Sequence, residues 1–485
     1  MKDFPADWKG AHVGVLGLAR SGLALARVLG GLGAHVLVSD SRPESAIGAA
    51  VEEARKLGAE VETGGHSARL AAVDLLVISP GVSVHAKIVQ DALQRGTPVA
   101  GEIEVAFRLC PLTIIAVTGT NGKSTTCSLI EQCLAPRSLL AGNIGVPLVS
   151  EVTSVSPADL DWIVAEISSF QLETTHGFAP KVALLTNVSA DHLDRHRTME
   201  EYVAAKSRIF SHQGAGDFAI LNADDEWANR VADWVAQGTL PEWLPGFPHR
   251  QPQGPEILRY SALGPVEQGC YFDGTNFIFR YQGVEEVLLG WNFPTLPGPH
   301  NLSNALAAAL TVRLLGVKGE RISQVFASYG RLHHRLELVE TLTGVRFIND
   351  SKATNVSSVE AALQTYSEPT VLIAGGRDKG LDLELLGRAI VKHAFALVVI
   401  GEAAATISAA ARQAGLDRIE YGASMQDAVD KAYGLCPKPG VVLLSPACTS
   451  FDMFNNAEHR GEIFAACVET LQKRLDGARR GPEGE

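Results

Sequence analysis

Residues Thr118 to Thr125 read Thr-Gly-Thr-Asn-Gly-Lys-Ser-Thr and follow the apolar run Thr113-Ile114-Ile115-Ala116-Val117. A short strand ending in a glycine loop, with Lys-Ser-Thr opening the next helix, is suited to hold a nucleoside triphosphate. The glycines (Gly119 and Gly122) free backbone N–H groups to face phosphate oxygens, and the helix N-terminus adds positive potential. Lys123 is placed for the β- and γ-phosphates, and Ser124 can offer a hydroxyl to Mg²⁺. The longer phosphate-loop pattern would need glycine at 117, where this chain has Val117. The surroundings must therefore decide the chemistry.

Three further groups fall where neighbouring strands should end. Glu166 closes Asp161-Trp162-Ile163-Val164-Ala165, the position from which an acid partners Mg²⁺ beside a phosphate loop; its plainer reading is an N-cap or surface acid. His192 lies in Asp191-His192-Leu193-Asp194-Arg195-His196 and reads equally as a Mg²⁺ ligand or as part of a capped surface turn, since Mg²⁺ prefers oxygen. Lys206 reads by default as a solvated helix lysine. Later in the chain, Asn349-Asp350-Ser351-Lys352-Ala353-Thr354-Asn355, Gly375-Gly376-Arg377-Asp378-Lys379-Gly380 and Ser445-Pro446-Ala447-Cys448-Thr449-Ser450-Phe451-Asp452 each follow an apolar run. Any one is ordinary loop chemistry. Three on successive strand ends point to an anion-binding edge.

The elements that must position these groups come in three alternating blocks. Strands are expected at Val13–Gly17, His35–Asp40 and Val73–Ser79, then Ile114–Val117, Trp162–Glu166 and Val182–Thr186, and finally Thr370–Ala374, Ala396–Ile400 and Val441–Ser445. Helices are expected at Ser21–Leu32, Glu44–Leu57, Ala86–Gln94, Lys123–Leu134, Met199–Phe210 and Asn304–Leu315. Such alternation implies an α/β protein with parallel sheets and crossover helices. Between Trp234 and Trp291 the pattern turns to Pro, Gly and aromatic residues, read as hairpins or an excursion on the domain surface. The domains are expected at 1–110, 111–331 and 332–485.

In the first block, Gly14, Gly17 and Gly22 with Asp40 resemble a dinucleotide fingerprint, but the spacing departs from Gly-x-Gly-x-x-Gly. A tight strand–helix turn explains the glycines as well as a cofactor does. Ser79-Pro80-Gly81 closes a strand at the same edge, so the loops together suggest a nucleotide without naming it.

With 485 residues, 46% hydrophobic and 20% charged, the chain has the balance of a globular enzyme of several domains. Lys+Arg 42 against Asp+Glu 54 gives −12, which argues against nonspecific nucleic-acid or anionic-membrane binding. Seven scattered cysteines form no Cys-x-x-Cys pair, and neither a signal peptide nor a membrane span is read. A reducing, cytoplasmic location is expected.

Together these residues resemble the Mur ligase family along nearly the whole chain. The likeness rests on the runs at 119–125, 142–145 (Gly-Asn-Ile-Gly), 166–171 (Glu-Ile-Ser-Ser-Phe-Gln), 191–196, 300–305 (His-Asn-Leu-Ser-Asn-Ala), 334–335 (His-Arg), 349–355, 375–380 and 445–452. The 350–355 and 445–448 runs match the branch that adds D-glutamate, and the Asp-Asn-Pro-Arg run of the diaminopimelate- or lysine-adding relatives is missing. The resemblance implies a Rossmann-like N-terminal domain, a central P-loop-type ATPase domain and a Rossmann-like C-terminal domain. It implies a bacterial, monomeric ligase that uses ATP and two Mg²⁺ ions to join D-glutamate to UDP-N-acetylmuramoyl-L-alanine through an acyl phosphate, in peptidoglycan synthesis.

By the same resemblance, Gly119, Thr120, Asn121, Gly122, Lys123, Ser124 and Thr125 would hold the ATP phosphates, with Asn301, Asn304, Arg335 and Asp350 around the nucleotide. Ser124, Glu166 and His192 would hold metal, and Lys206, carbamylated by CO₂, a second ion; Lys123, Glu166, His192 and Lys206 would be the catalytic set. Arg20, Ser21, Asp40, Ser41, Arg42, Ser79, Pro80, Gly81, Asn143 and Ser168 would bind the UDP substrate; Lys352, Thr354, Lys379, Ser450 and Phe451 would bind D-glutamate. Ala457 stands where an aromatic is common in the family, and 234–291 is longer than the family suggests. An NAD-dependent oxidoreductase would leave the phosphate loop unexplained, and an ATP-sensing regulator would leave Glu166, His192 and Lys206 so. A folylpolyglutamate synthetase-like ligase, or another Mur ligase adding a different amino acid, shares the phosphate loop; the folate relative lacks a reason for the Asp40 and Ser79-Pro80-Gly81 loops.

Overall fold

A computed structural model describes residues 4–242, 254–330, 333–378 and 380–479. The chain divides into two compact units, one of Met1–Val188, Arg195–Asn292 and Ser303–Phe326, the other of Ser189–Asp194, Phe293–Leu302 and Ala327–Glu485. Among the described residues no helix is long and apolar enough to cross a membrane.

The first unit holds two sheets. One has five strands in the order Glu60–Thr63, His35–Asp40, His12–Leu16, Leu75–Ile78, Val99–Gly101, every neighbouring pair parallel. The chain winds outward from His12–Leu16 in one direction and then returns to its other side. The strand order therefore reverses between His12–Leu16 and Leu75–Ile78, and the loops after these two strands, Gly17 onward and Ser79-Pro80-Gly81, diverge there. Open α/β sheets take their ligands at such a reversal. Val13, Val15, Leu75 and Val77 are buried on one face and Leu16, Leu76 and Ile78 on the other, the pattern of strands covered on both faces.

The second sheet has nine strands. Thr113–Thr118 lies third from one edge, between Val182–Leu185 and Trp162–Glu166, with Ser138–Gly142 at the edge beyond. Phe218–Asn222 continues the sheet on the other side. The expected strands are thus found within one or two residues, while Ser138–Gly142 and Phe218–Asn222 were not foreseen.

The stretch from Trp234 forms hairpins, the first of the two expected readings, and not a surface excursion: its described part adds strands Glu256–Ser261, Gly269–Phe272, Asn276–Tyr281 and Val284–Gly290 to this sheet, parallel at first and then as antiparallel hairpins. Phe277 and Cys270 are wholly buried, so this extension belongs to the core. Residues 243–253 lie outside the described residues. Two helices also differ. Met199–Ser207 gives way to a 3₁₀ turn at Arg208–Phe210, and the helix expected from Asn304 starts at Pro299. Proline suits the first turn of a helix, where its missing N–H costs nothing.

The second unit carries six strands in the order Glu337–Leu342, Val345–Asn349, Gly440–Leu444, Thr370–Gly375, Ala396–Ile400, Ile419–Tyr421. Apart from the first hairpin they are parallel. Gly440–Leu444 comes last in the chain but inserts between the second strand and Thr370–Gly375. That puts the loops at 350–355, 376–378 and 445–452 side by side.

Candidate functional site

The phosphate loop is shaped by two glycines that no other residue can replace cheaply. Gly119 has φ 146°, and a Cβ there would sit 1.9 Å from Thr186 Oγ1; Gly122 has φ 82°, and its Cβ would meet Asn304 Oδ1 at 2.1 Å. The neighbouring strand end clamps the loop. Thr120 N donates to Asn187 O (2.8 Å), Asn121 N to Asn187 Oδ1 (3.0 Å), and Thr186 Oγ1 to Asn121 O (2.6 Å). Helix Lys123–Leu134 then begins without a side-chain cap at Gly122, a helix start of the kind that suits an anion.

Around this loop the first unit collects most of the expected catalytic groups. Lys123 Nζ donates to the carbonyls of Gly119 (3.0 Å) and Thr120 (2.8 Å). Ser124 Oγ donates to Glu166 Oε2 (2.6 Å), and Asn143 Nδ2 to Glu166 Oε1 (2.8 Å). A hydroxyl and a buried carboxylate side by side are hard oxygen donors, so the residues fit a magnesium ion.

Lys206 is the clearest correction to local sequence reading. It is not a solvated lysine but 2% exposed, its Nζ donating to Gly119 O at 2.7 Å and standing 4.4 Å from the Tyr202 ring centroid. His192 belongs to the second unit, at φ 56° and 3.6 Å from Asp191 Oδ2.

At the reversal point of the five-stranded sheet lies a cavity of about 530 Å³. Nine of the ten residues expected at the UDP substrate line it: Arg20, Ser21, Asp40, Ser41, Arg42, Ser79, Pro80, Gly81 and Asn143. Ser168 does not; its hydroxyl caps helix Ser169–Leu172 in a reciprocal box with Gln171, which lines the cavity instead.

The glycine spacing now has a physical cause. A Cβ on Gly22 would lie 2.0 Å from Gly17 O, so these glycines let the helix start press on the preceding turn. Asp40 is committed to its own loop. Its carboxylate accepts from Leu18 N (2.8 Å), from Arg42 N (2.9 Å) and from the Arg42 guanidinium (2.9 and 2.8 Å). The hydrogen bonds from Arg42 hold it well below the usual carboxylate range. Asp40 thus fixes Arg42 at the cavity.

In the second unit two of the three strand-end loops are stitched together by a residue to which sequence reading gave no role, and the third is joined to them through backbone pairing. Arg460, fully buried, donates to Ser351 Oγ (2.9 Å), Ser351 O (2.7 Å) and Cys448 O (3.0 Å). Arg377 and Thr449 exchange backbone hydrogen bonds of 3.0 and 3.1 Å. Only the apolar periodicity of helix Ala457–Arg479, broken by a buried charge, could have flagged Arg460.

Asp350 is buried, accepts from Ser445 Oγ (3.1 Å) and lies 4.0 Å from Arg335; burial pushes its carboxyl up to about 6. Lys352 Nζ is 3.5 Å from Glu458. Thr354 is half-buried and Ser450 buried, whereas Phe451 is 63% exposed. Asn301 Nδ2 donates to Pro297 O (2.7 Å). Lys379 lies outside the described residues.

Three family descriptions match in sequence: the Mur ligase MurD-like N-terminal domain over residues 11–101, the Mur ligase middle domain over 117–312, and the Mur ligase glutamate ligase domain over 334–448. The chain is 39% identical over 471 residues to the UDP-N-acetylmuramoylalanine--D-glutamate ligase of Pelotomaculum thermopropionicum, covering 96% of this chain and 99% of that one. Against the enzyme of the same name from Bacillus subtilis it is 37% identical over 473 residues, covering 95% and 98%. Among solved structures, the UDP-N-acetylmuramate-alanine ligase MurC of Thermotoga maritima aligns with a TM-score of 0.56 at 18% identity, over 96% of this chain and all of that one. MurF from Acinetobacter baumannii gives 0.59 at 18%, over 87% of each.

Proposed function

This chain belongs to the Mur ligase family, and from that premise we propose that it joins D-glutamate to UDP-N-acetylmuramoyl-L-alanine with ATP, in peptidoglycan precursor synthesis. One structural observation carries the reading beyond its relatives. Asn143 lines the 530 Å³ cavity and also donates to Glu166, which in turn accepts from Ser124 of the phosphate loop. A substrate seated in the cavity by its nucleotide is thereby directed toward the phosphate loop.

The chemistry is amide formation through an acyl phosphate. A carboxylate oxygen of the L-alanyl group attacks the γ-phosphorus of ATP, and ADP leaves. The D-glutamate amine then attacks the acyl carbonyl and loses a proton, and phosphate departs. Lys123 and the uncapped N–H groups of helix Lys123–Leu134 face the negative charge that builds during transfer. Ser124 and Glu166 would hold magnesium, which neutralises phosphate charge when bound.

A carbamate on Lys206 suits that residue's position. Its amine is buried beside the loop carbonyl of Gly119, and reaction with CO₂ would turn a cation into an oxygen donor for a second ion. Exchange into CO₂-free buffer is expected to lower turnover several-fold, and added bicarbonate to restore it. Turnover indifferent to both would remove the carbamate from the scheme.

The domain boundaries at 110/111 and 331/332 are part of the same proposal, as is a cytoplasmic location, which suits seven cysteines that are all free thiols. The deciding experiment is phosphate release with ATP and UDP-N-acetylmuramoyl-L-alanine while the amino acid is varied. D-glutamate should support release, and L-glutamate, L-lysine and diaminopimelate should not. Release driven best by any of the other three would reassign the chain within its family.

A further inference from the structure

The substrate cavity has a wall that nothing so far explains. The loop Ser79-Pro80-Gly81-Val82 lines it; Ser79 Oγ donates to Gly17 O (3.1 Å) within the same sheet, and the rest of the loop is held from outside that sheet. Here the holder is Arg195. Its Nη1 donates to Pro80 O at 2.8 Å and its Nη2 to Val82 O at 2.9 Å. The same guanidinium forms a forked pair with Glu173, through Nε to Oε1 (3.1 Å) and Nη2 to Oε2 (2.5 Å). Its guanidinium carbon lies over the Phe170 ring, 4.3 Å from the centroid.

The side chains of Arg195 and Glu173 are 15% and 1% exposed. Glu173 directly follows helix Ser169–Leu172, which carries the cavity residue Gln171. One guanidinium thus fastens the loop of the five-stranded sheet to a helix that follows strand Trp162–Glu166 of the nine-stranded sheet. All of these residues lie in the first unit.

We propose that Arg195 and Glu173 are a positioning pair that sets the Ser79–Val82 wall of the substrate cavity and so determines affinity for the UDP-bearing substrate. The inference rests on the function proposed above. Arg195 makes four hydrogen bonds on two jobs, two to the Glu173 carboxylate and two to the carbonyls of Pro80 and Val82. Only the second acts on the cavity; the first keeps the guanidinium aimed. A buried ion pair adds little net stability over an apolar pair of similar volume, although removing one partner alone is costly. Stability and substrate affinity can therefore be separated by mutation.

The test uses the full-length protein and three variants, Arg195→Lys, Arg195→Met and the double variant Arg195→Met with Glu173→Leu. Wild type is assayed first with UDP-N-acetylmuramoyl-L-alanine, ATP and D-glutamate; failure to turn over would count against the proposed function, not against the pair. Arg195→Met is expected to melt lower and to raise KM for the UDP substrate roughly tenfold, with KM for ATP little changed. Arg195→Lys keeps the charge but not the fork, so its KM should fall between the two. The double variant should recover its melting temperature but not its KM, because the carbonyls of Pro80 and Val82 stay unheld. Calorimetric titration with UDP alone should follow the KM order. A KM for the UDP substrate that is unchanged in Arg195→Lys and the double variant, or that returns together with melting temperature in the latter, would overturn the proposal and leave the pair a structural one.

Discussion

Lys123→Ala will lower turnover by about a thousandfold and leave the fold in place, the loss expected when a charge aimed at the transition state is removed. The lysine opens helix Lys123–Leu134 immediately after a loop whose glycines exclude side chains, so its ammonium sits where phosphate charge must collect. The ammonium donates to the carbonyls of Gly119 and Thr120. Gly119 O keeps a second donor in Lys206, so the mutation leaves that carbonyl paired, and loss of the hydrogen bond to Thr120 O costs about 1 kcal/mol. Alanine also favours a helix start no less than lysine does. The melting temperature should accordingly move by only a few degrees. The check pairs phosphate release with a thermal melt followed by circular dichroism. Turnover within tenfold of wild type in a folded variant would mean that the loop does not serve phosphoryl transfer.

How much of this could be read from the sequence depends on whether the signal was local. Strand Trp162–Glu166 and helix Lys123–Leu134 were placed to the residue, because an apolar run ending in a polar or glycine signal states its own boundary. Val99–Gly101 and Ser138–Gly142 were missed, since three residues or a mixed Ser-Leu-Leu-Ala-Gly run carry too little pattern. The Trp234–Trp291 stretch shows the limit of punctuation as a guide. Its Pro and Gly residues read as hairpins or a surface excursion, and the hairpins are found, yet Glu256–Ser261 pairs in parallel with Phe218–Asn222 through contacts no local window contains.

The same division runs through the site. Gly119, Gly122 and Lys123 announce themselves by type and spacing. Lys206 does not, because nothing in Val203-Ala204-Ala205-Lys206 indicates that its helix face is buried under the phosphate loop. Thr186 and Asn187 were visible as polar residues at a strand end, but their task of clamping Asn121 depends on which strand lies next door. Arg195 and Arg460 are harder still. Each binds backbone carbonyls of distant loops, and carbonyls have no sequence signature.

A second large effect concerns stability, at Glu102. This residue opens helix Glu102–Leu109, where the positive end of the helix favours a carboxylate by about 0.3–1 kcal/mol. Burial opposes it and wins. Glu102 is 1% exposed; Oε1 accepts from Val149 N at 2.7 Å, while Oε2 has no hydrogen-bond partner among the described residues. Burial pushes its carboxyl from 4.5 up to about 7.

An acid whose folded pKa is raised binds its proton more tightly in the native state. Its contribution is therefore most favourable below pH 4.5 and is lost as pH rises toward about 7. A shift of this size corresponds to a loss of roughly 3 kcal/mol across that window. Glu102→Gln keeps an acceptor for Val149 N and cannot ionise. The difference in stability between variant and wild type should thus be small near pH 5 and grow in the variant's favour to about 2 kcal/mol near pH 8, part of the gain being offset by the new amide hydrogens. Urea denaturation of both proteins at intervals across that range measures this difference directly, since other titrating groups are common to both. Parallel stability curves would show that Glu102 is already ionised in the fold.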